Sequence, residues 1–210
     1  MRGRNSKRPE GFTLVELLMA LAITGIILTA VATLAYAVRS ADDAADDTSQ
    51  KQAQLRYTTL RISELLKHSR LICAAFTDDL AVWRADDNGN GQLNMNELTY
   101  IERGSGANRV RLCEFVSGGN PVLPLSALGS LSSAWWGAYG ATEKYTLLIP
   151  QCGNVQISMD TSPPNTKFVS VSFDLSENGT LHHYEISAAL RSWAGHLLNA
   201  SGQLVSSDDD

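Results

Sequence analysis

Hydrophobic residues are concentrated at the amino-terminal end of this chain of 210 residues. An apolar run begins at Phe12 and continues to Val38, and its one ionisable side chain is Glu16. A helix of about 20 apolar residues spans the hydrocarbon core of a bilayer. The run is longer than the apolar region of a cleaved secretory signal, and no A-x-A site closes it. We therefore predict a membrane-spanning helix over residues 12–38.

Basic residues precede this apolar run. Residues 1–11 hold one acid, Glu10, and four bases: Arg2, Arg4, Lys7 and Arg8. Positive charge beside a spanning helix favours the cytoplasmic side. We expect a single-pass protein of the inner membrane, with its amino terminus in the cytoplasm and the remainder exported.

Residues 39–74 carry a different pattern. Aspartates 42, 43, 46 and 47 mark the exit from the lipid, and leucine and isoleucine then recur close to a 3.6-residue period at 55, 60, 62, 65, 66 and 72. This pattern predicts that the helix continues as an amphipathic half that packs on a globular domain. The alternative is two helices joined by a linker at 40–50.

The chain from residue 75 to 205 predicts a β-rich domain, because short apolar runs alternate with turn residues. The candidate strands are Leu80–Arg84, Leu98–Glu102, Arg109–Phe115, Tyr145–Ile149, Asn154–Met159, Phe168–Leu175 and Leu181–Leu190. Asn178-Gly179 favours a hairpin turn. Residues 117–142 form a long Gly, Ser and Pro-rich loop that is functional or covering, and residues 206–210 form a frayed tail. The fold class is α+β: a long amino-terminal helix on an antiparallel β-sheet.

Glu16 needs a partner, because a carboxylate at the bilayer centre costs roughly 2.5–3.5 kcal/mol. Cleavage after Gly11 would leave a positive amine on Phe12, about one helical turn away. In a stack of similar helices, Glu16 could pair instead with the amine of a neighbouring subunit, and this pairing would drive assembly.

The stretch G-F-T-L-V-E-L-L at Gly11–Leu18, behind its short basic leader, resembles the processing motif of type IV prepilins and type II secretion pseudopilins. The resemblance implies a pilin-like fold and a membrane-bound prepilin peptidase that cuts after Gly11 and methylates the amine of Phe12. Glu16 matches the glutamate that serves methylation and subunit docking in that family. The implied partners are other pilin or pseudopilin subunits, with the exported domain periplasmic or extracellular in a filament.

Two branches of the family are open. The L-x-V-W-R strand at Leu80–Arg84 and the late Ile149-Pro150 before the Val155/Ile157 strand are loosely similar to the J-type minor subunit of type II secretion. The alternative is a minor pilin that acts as a surface adhesin or DNA-uptake receptor, which an exposed patch around Trp135-Trp136 would favour. A net charge of -5 argues against binding by phosphate neutralisation, so no nucleic-acid partner is expected.

Residues 86–97, D-D-N-G-N-G-Q-L-N-M-N-E, match the calcium-loop pattern D-x-[DN]-x-[DN]-G-x5-E. The predicted Ca²⁺ ligands are Asp86, Asn88, Asn90, Gln92 through its carbonyl, Asn94 through water, and Glu97. Extracellular calcium modules bind at roughly 10⁻⁴–10⁻³ M. The alternative is an Asn/Gly-rich hairpin turn without metal.

Cys73, Cys113 and Cys152 are disulfide candidates, because export favours oxidation. Their spacing does not select a pair, and three free buried thiols is the alternative. We expect no enzymatic activity, since the chain has no nucleophile elbow or phosphate loop. His182 and His183 are neighbours in a predicted strand and would point to opposite faces.

Overall fold

The computed structural model describes residues 13–104, 106–177 and 179–199, apart from the side chain of Leu197. Gly11, Phe12 and the predicted tail 206–210 lie outside the described residues. The chain divides into two compact units, residues 1–47 and 48–210, and the boundary falls within the first helix.

The predicted long helix is confirmed as α1, which runs from Leu14 to His68. It continues through residues 40–50, so the alternative of two helices with a linker there is wrong. Its early part is long and apolar enough to cross a membrane by length and composition, and none of that segment is buried. In the second unit, Thr58, Ile62 and Leu66 recur every four residues and form the buried face of the helix.

The helix ends earlier than predicted. The boundary at residue 74 is wrong, because α1 stops at His68 and Leu71–Ala75 form a strand, β1. The backbone N–H of Ser69 still donates to Leu65 O (3.0 Å), whereas that of Arg70 donates to Trp83 O (2.9 Å) and opens the β-ladder. The apolar triplet at 71–73 is too short to distinguish a helical from a strand period.

The strands form two antiparallel sheets, where a single sheet was predicted. The first is a meander of β1, β2 (Asp79–Trp83), β3 (Leu98–Glu102), β4 (Val110–Val116) and β5 (Thr142–Ile149). The second contains β6 (Gly153–Met159), β7 (Phe168–Glu177) and β8 (Thr180–Ala189). The predicted hairpin joins β7 to β8, with Glu177 paired to Thr180 across the turn. The seven predicted strands are present within a few residues, and β1 is the strand that was missed.

Each face of the five-stranded sheet buries its own core. The helix-face core combines Ile62 and Leu66 of α1 with apolar residues of both sheets, including Ile101, Leu112 and Phe173. The loop-face core contains aromatic and sulfur side chains, including Trp83, Tyr100, Cys113, Phe115 and Trp136. β3 is buried along its whole length, because alternate side chains enter the two cores.

The predicted long loop covers the loop face of the sheet. It contains three short 3-10 helices, Leu125–Ala127, Leu131–Ser133 and Trp135–Tyr139. Trp136 packs on Phe115 with ring centroids 5.4 Å apart, and its indole N–H donates to Glu143 Oε2 (2.9 Å). We call residues 117–141 the covering segment.

Candidate functional site

Glu16 is hydrogen-bonded to the residue that precedes α1. Its Oε2 accepts from the backbone N–H of Thr13 (3.2 Å) and from the Thr13 hydroxyl (3.1 Å). The Thr13 hydroxyl oxygen in turn accepts from the backbone N–H of Glu16 (3.3 Å). This reciprocal pattern is a capping box, which satisfies N–H groups that a helix start otherwise leaves unpaired.

The capping box places the Glu16 carboxylate close to the predicted cleavage junction. Thr13 follows Phe12 directly in the chain, and both side chains of the box are exposed. Gly11 and Phe12 themselves lie outside the described residues, so the pairing of Glu16 with the Phe12 amine stays a prediction.

In the apolar part of α1, threonine hydroxyl groups are hydrogen-bonded to the backbone of the same helix. Thr24, Thr29 and Thr33 each donate a hydroxyl to a backbone carbonyl one turn earlier, at 2.7, 2.8 and 3.0 Å. The large apolar side chains around them are exposed, for example Leu28 at 63%. A helix with this surface and no unpaired hydroxyl at those threonines suits a lipid environment.

Four of the six predicted calcium ligands lie together in the turn at 86–97. Asp86 Oδ1 accepts from the backbone N–H of Asn90 (3.1 Å), and its Oδ2 accepts from that of Gly91 (3.0 Å). Gly91 has φ +70, a conformation that favours glycine and that a calcium loop requires at this position. The amide groups of Asn88 and Asn90 both donate to Asn94 Oδ1, at 3.2 and 3.0 Å.

The carboxylate of Glu97, the last of the predicted calcium ligands, is buried and hydrogen-bonded within the protein. The residue is 1% exposed, and its carboxylate accepts from the Trp83 indole N–H (3.1 Å) and from the backbone N–H groups of Asp87 (2.9 Å) and Asn94 (3.2 Å). The sixth residue, Gln92, donates its backbone N–H to Asn90 Oδ1 (2.8 Å). Among the described residues, no group of three or more His, Cys, Asp or Glu side chains is arranged to hold a metal.

Asn96 and Asn120, which are not among the predicted calcium ligands, connect this turn to the covering segment. Asn96 Nδ2 donates to Ser117 O (3.1 Å), and Asn96 Oδ1 accepts from the backbone N–H of Ser117 (2.7 Å). Asn120 accepts twice more, from the backbone of Asn96 (2.9 Å) and the side chain of Asn94 (2.9 Å). The high density of asparagines in this turn is a sequence signal for side-chain hydrogen bonding. It does not identify the hydrogen-bond partners of these asparagines, which lie more than 20 residues away in the chain.

The three cysteines are free thiols, so the disulfide candidates Cys73, Cys113 and Cys152 do not pair. Cys73 lies on β1 and Cys113 on β4, with two strands between them. Three strand spacings amount to roughly 14 Å, whereas a disulfide requires Cα atoms within about 7 Å. Burial raises the pKa of Cys73 to about 12 and that of Cys152 to about 11, which keeps both protonated and unreactive.

Asp79 is a buried carboxyl group that the sequence pattern did not single out. It is 2% exposed, and its Oδ2 accepts from the Ser130 hydroxyl (2.8 Å) and the Leu131 backbone N–H (3.0 Å) of the covering segment. Its Oδ1 has no hydrogen-bond partner. Burial raises the pKa of the Asp79 carboxyl above its ordinary value, and repulsion from Glu102 adds to the effect.

The tryptophan pair does not form the exposed aromatic patch that would favour an adhesin. Trp136 is 6% exposed and Trp135 is half-buried, and both rings pack against Phe115. The pair therefore belongs to the loop-face core.

Comparison with protein families gives one finding, at the amino-terminal end. The model of the prokaryotic N-terminal methylation motif matches residues 6–32, a range that includes Gly11, Phe12 and Glu16. This motif is the processing signal of type IV prepilins and pseudopilins, so the chain carries the signal of a type IV pilin-like protein that prepilin peptidase processes. Comparison with curated proteins and with solved structures gives no match for the chain.

Proposed function

We propose that this protein is a structural subunit of a pilus-like filament, most closely of the pseudopilus of a type II secretion system, and that it has no catalytic role. The observation that carries the proposal is the methylation motif at residues 6–32, followed by a helix whose apolar surface is exposed along its membrane-spanning part. Lipid would cover this apolar surface before assembly, and neighbouring subunits would cover it in the filament.

Processing supplies the charge that assembly uses. Cleavage after Gly11 frees the amine of Phe12, and the Thr13–Glu16 capping box holds a carboxylate at the same end of the helix. The carboxylate of one subunit then pairs with the methylated amine of its neighbour. We propose that the leader lies in the cytoplasm and the β-rich unit on the exported side of the inner membrane, because the basic leader precedes the apolar helix.

Support for the pseudopilus over a minor pilin comes from the order of elements. The L-x-V-W-R segment covers most of β2 and ends one residue after it, and β6 follows Ile149-Pro150. This order of elements is loosely similar to that of the J-type minor subunit. The burial of Trp136 removes one feature that would have favoured a surface adhesin or DNA-uptake receptor.

The test uses cells that contain a prepilin peptidase and partner pseudopilins. Gly11→Val should leave the full-length precursor in the membrane, whereas the wild type should yield a terminal N-methylated Phe12 by mass spectrometry. Glu16→Val should be processed and inserted but should fail to co-purify with partner subunits. The matched control is Val15→Leu, which keeps the helix apolar and should co-purify normally. An intact Met1 on assembled wild-type protein would refute the proposal.

We also propose a calcium site at residues 86–97. The observation that favours it is the convergence of Asn88, Asn90 and Asn94, beside an Asp86 that already binds the backbone of Asn90 and Gly91. Rotation of the Asn88 and Asn90 amides would turn their oxygens toward the centre of the turn. Calcium would then remove the need for the amide contacts to Asn94.

The calcium test compares melting of the full chain, in detergent, in millimolar calcium and in chelator. A site that binds the folded state alone stabilises it by about 1.4 kcal/mol at tenfold excess over Kd, so the melting temperature should rise. Asn90→Ala should remove most of the rise, and it is preferable to Glu97→Gln because Glu97 also holds Trp83. Magnesium should substitute poorly. Identical melting curves with calcium and with chelator would show that the segment is only a turn.

A further inference from the structure

An arginine outside the turn at 86–97 is bound to the first of its predicted calcium ligands. Arg70 follows the end of α1, and its Nη1 donates to Asp86 Oδ2 at 2.7 Å. The side chain of Asp86 is 6% exposed and that of Arg70 is 30% exposed, so salt screens this pair less than a surface pair. The calcium-loop pattern covers residues 86–97 alone and does not include this cation.

Contacts around the turn hold Arg70 in place. Its backbone N–H donates to Trp83 O (2.9 Å), and its carbonyl oxygen accepts from the backbone N–H of Ala194 (2.7 Å). Its guanidinium lies over the Trp83 ring, with Cζ 5.0 Å from the ring centroid. The same indole donates to Glu97 Oε2 (3.1 Å). Both carboxylates among the predicted ligands, Asp86 and Glu97, are therefore hydrogen-bonded to side chains from outside the turn.

The hydrogen bonds of Asp86 determine which of its oxygens a metal ion can reach. A carboxylate has about four lone-pair sites, two on each oxygen. Oδ2 accepts from Arg70 and from the backbone N–H of Gly91, so both of its sites are used. Oδ1 accepts from the backbone N–H of Asn90, which leaves its second site for a metal. Calcium would therefore bind Oδ1 while the positive charge of Arg70 stays on Oδ2 of the same carboxylate.

A second arginine makes a similar ion pair at a carboxylate that is not a predicted ligand. Arg84 Nη2 lies 2.5 Å from Asp87 Oδ2, and the two side chains are 40% and 55% exposed. Exposed ion pairs contribute little, because water and salt screen them. Arg84 therefore provides a matched control, since it brings the same charge to the same turn without contact to a predicted ligand carboxylate.

We propose that Arg70 sets the calcium affinity of this turn, an inference that rests on the calcium site proposed above. In the calcium-free protein its guanidinium neutralises Asp86, so the turn keeps its form without a metal. When calcium binds, the same guanidinium repels it and offsets one of the two negative charges that Asp86 and Glu97 supply. The turn therefore binds only at high calcium concentration, in the range of roughly 10⁻⁴–10⁻³ M of extracellular modules.

The test measures metal binding directly, on the full chain in detergent. Trp83 touches Glu97, so excitation of the indole should sensitise the luminescence of terbium bound in the turn, and displacement by calcium gives the calcium Kd. Changes in the partners of metal ligands alter metal affinity about 10–100-fold. Arg70→Gln should therefore bind calcium at least about tenfold more tightly than the wild type. Arg70→Lys keeps the charge and should stay close to the wild type.

Two further variants separate charge from packing. Arg70→Met removes the charge but keeps apolar contact with Trp83, so it should tighten calcium binding as Arg70→Gln does, including where the glutamine variant does not fold. Arg84→Gln should change the calcium Kd by less than about threefold, because its pair with Asp87 is exposed.

Melting temperatures distinguish this role from a merely structural one. Arg70→Met should melt lower than the wild type in chelator, because Asp86 loses its counter-charge, and calcium should raise its melting temperature by more than it raises that of the wild type. A structural role alone would lower the melting temperature equally with calcium and with chelator, and this result would overturn the inference.

The outcomes also separate Arg70 from the calcium site itself. Calcium binding by the wild type with the same Kd in Arg70→Met would overturn the role of Arg70 and leave the site in place. Binding by the variant but not by the wild type would support the inference in its strongest form. No terbium or calcium binding by either protein would overturn both the site and the role of Arg70.

Discussion

The two halves of α1 bury their apolar side chains in different ways. Between Leu14 and Val38 the large apolar side chains are exposed, and none of the spanning segment is buried by its own chain. In the second unit Ile62 and Leu66 are fully buried in the helix-face core. One continuous helix therefore contains a half whose apolar side chains pack within the same chain and a half whose apolar side chains are exposed and available to lipid or other subunits.

This difference separates what stabilises the subunit from what assembles it. Substitutions in the second half change the free energy of unfolding, since they remove contacts within the unit. Substitutions in the first half leave those contacts intact and act through the membrane and the neighbours. Asp79 and Glu16 show the same division: the covering segment binds Asp79 within the second unit, whereas Glu16 in the first unit is hydrogen-bonded to its neighbour Thr13 and is exposed.

The largest expected effect is in the buried half. Leu66→Ala removes a fully buried side chain from the helix-face core and should lower the free energy of unfolding by about 2–5 kcal/mol. The matched change in the spanning half, Leu28→Ala, should leave it unchanged within about 0.5 kcal/mol, because Leu28 contacts no core. Denaturant unfolding of the full chain in detergent, followed by tryptophan fluorescence, measures both. An equal loss for the two variants would contradict the division.

Asp79 should make the β-rich unit more stable as the pH falls. Burial raises the pKa of its carboxyl in the folded state, so the folded protein binds the proton more tightly than the unfolded chain does. The destabilisation is fully present above the folded pKa and is relieved as the pH falls through it. Asp79→Asn carries no such charge, so the stability of the wild type relative to this variant should rise as the pH is lowered from 7 toward the ordinary aspartate range.

The measurement for Asp79 is denaturant unfolding at several pH values, and the difference between wild type and variant is the quantity compared. The contributions of the other carboxylates to the pH dependence of stability cancel in that difference. Among them, Asp174 and Glu185 act in the opposite direction, because side-chain hydrogen bonds lower their pKa values. A wild-type minus variant difference that is independent of pH would contradict the role assigned to burial.

The sequence predicted the repeating parts of this fold well and its long-range contacts poorly. The strand that became β3 was predicted with the bounds Leu98–Glu102 that the structure has, since alternation and turn residues are local signals. β1 was missed because the apolar residues Leu71 and Ile72 fit a helical period and a strand period equally well. Pairing with β2, which is a long-range contact, makes this segment a strand. Glu97 fitted a metal motif, yet its contact with Trp83 depends on how β2 and the turn fold back on each other.

The smallest expected effect concerns the capping box at the start of the spanning half. Thr13→Val removes the hydroxyl that bonds Glu16 in both directions, and loss of such a cap costs about 1 kcal/mol of local helix stability. Thr13→Ser should retain it. Neither change should alter the unfolding of the β-rich unit, because the box lies within the first unit. Amide hydrogen exchange at Glu16 and Leu17, measured on the full chain in nanodiscs, should be several-fold faster in Thr13→Val than in Thr13→Ser. Equal exchange in the two variants would contradict the role assigned to the capping box, because it would show that the Thr13 hydroxyl does not protect the first turn.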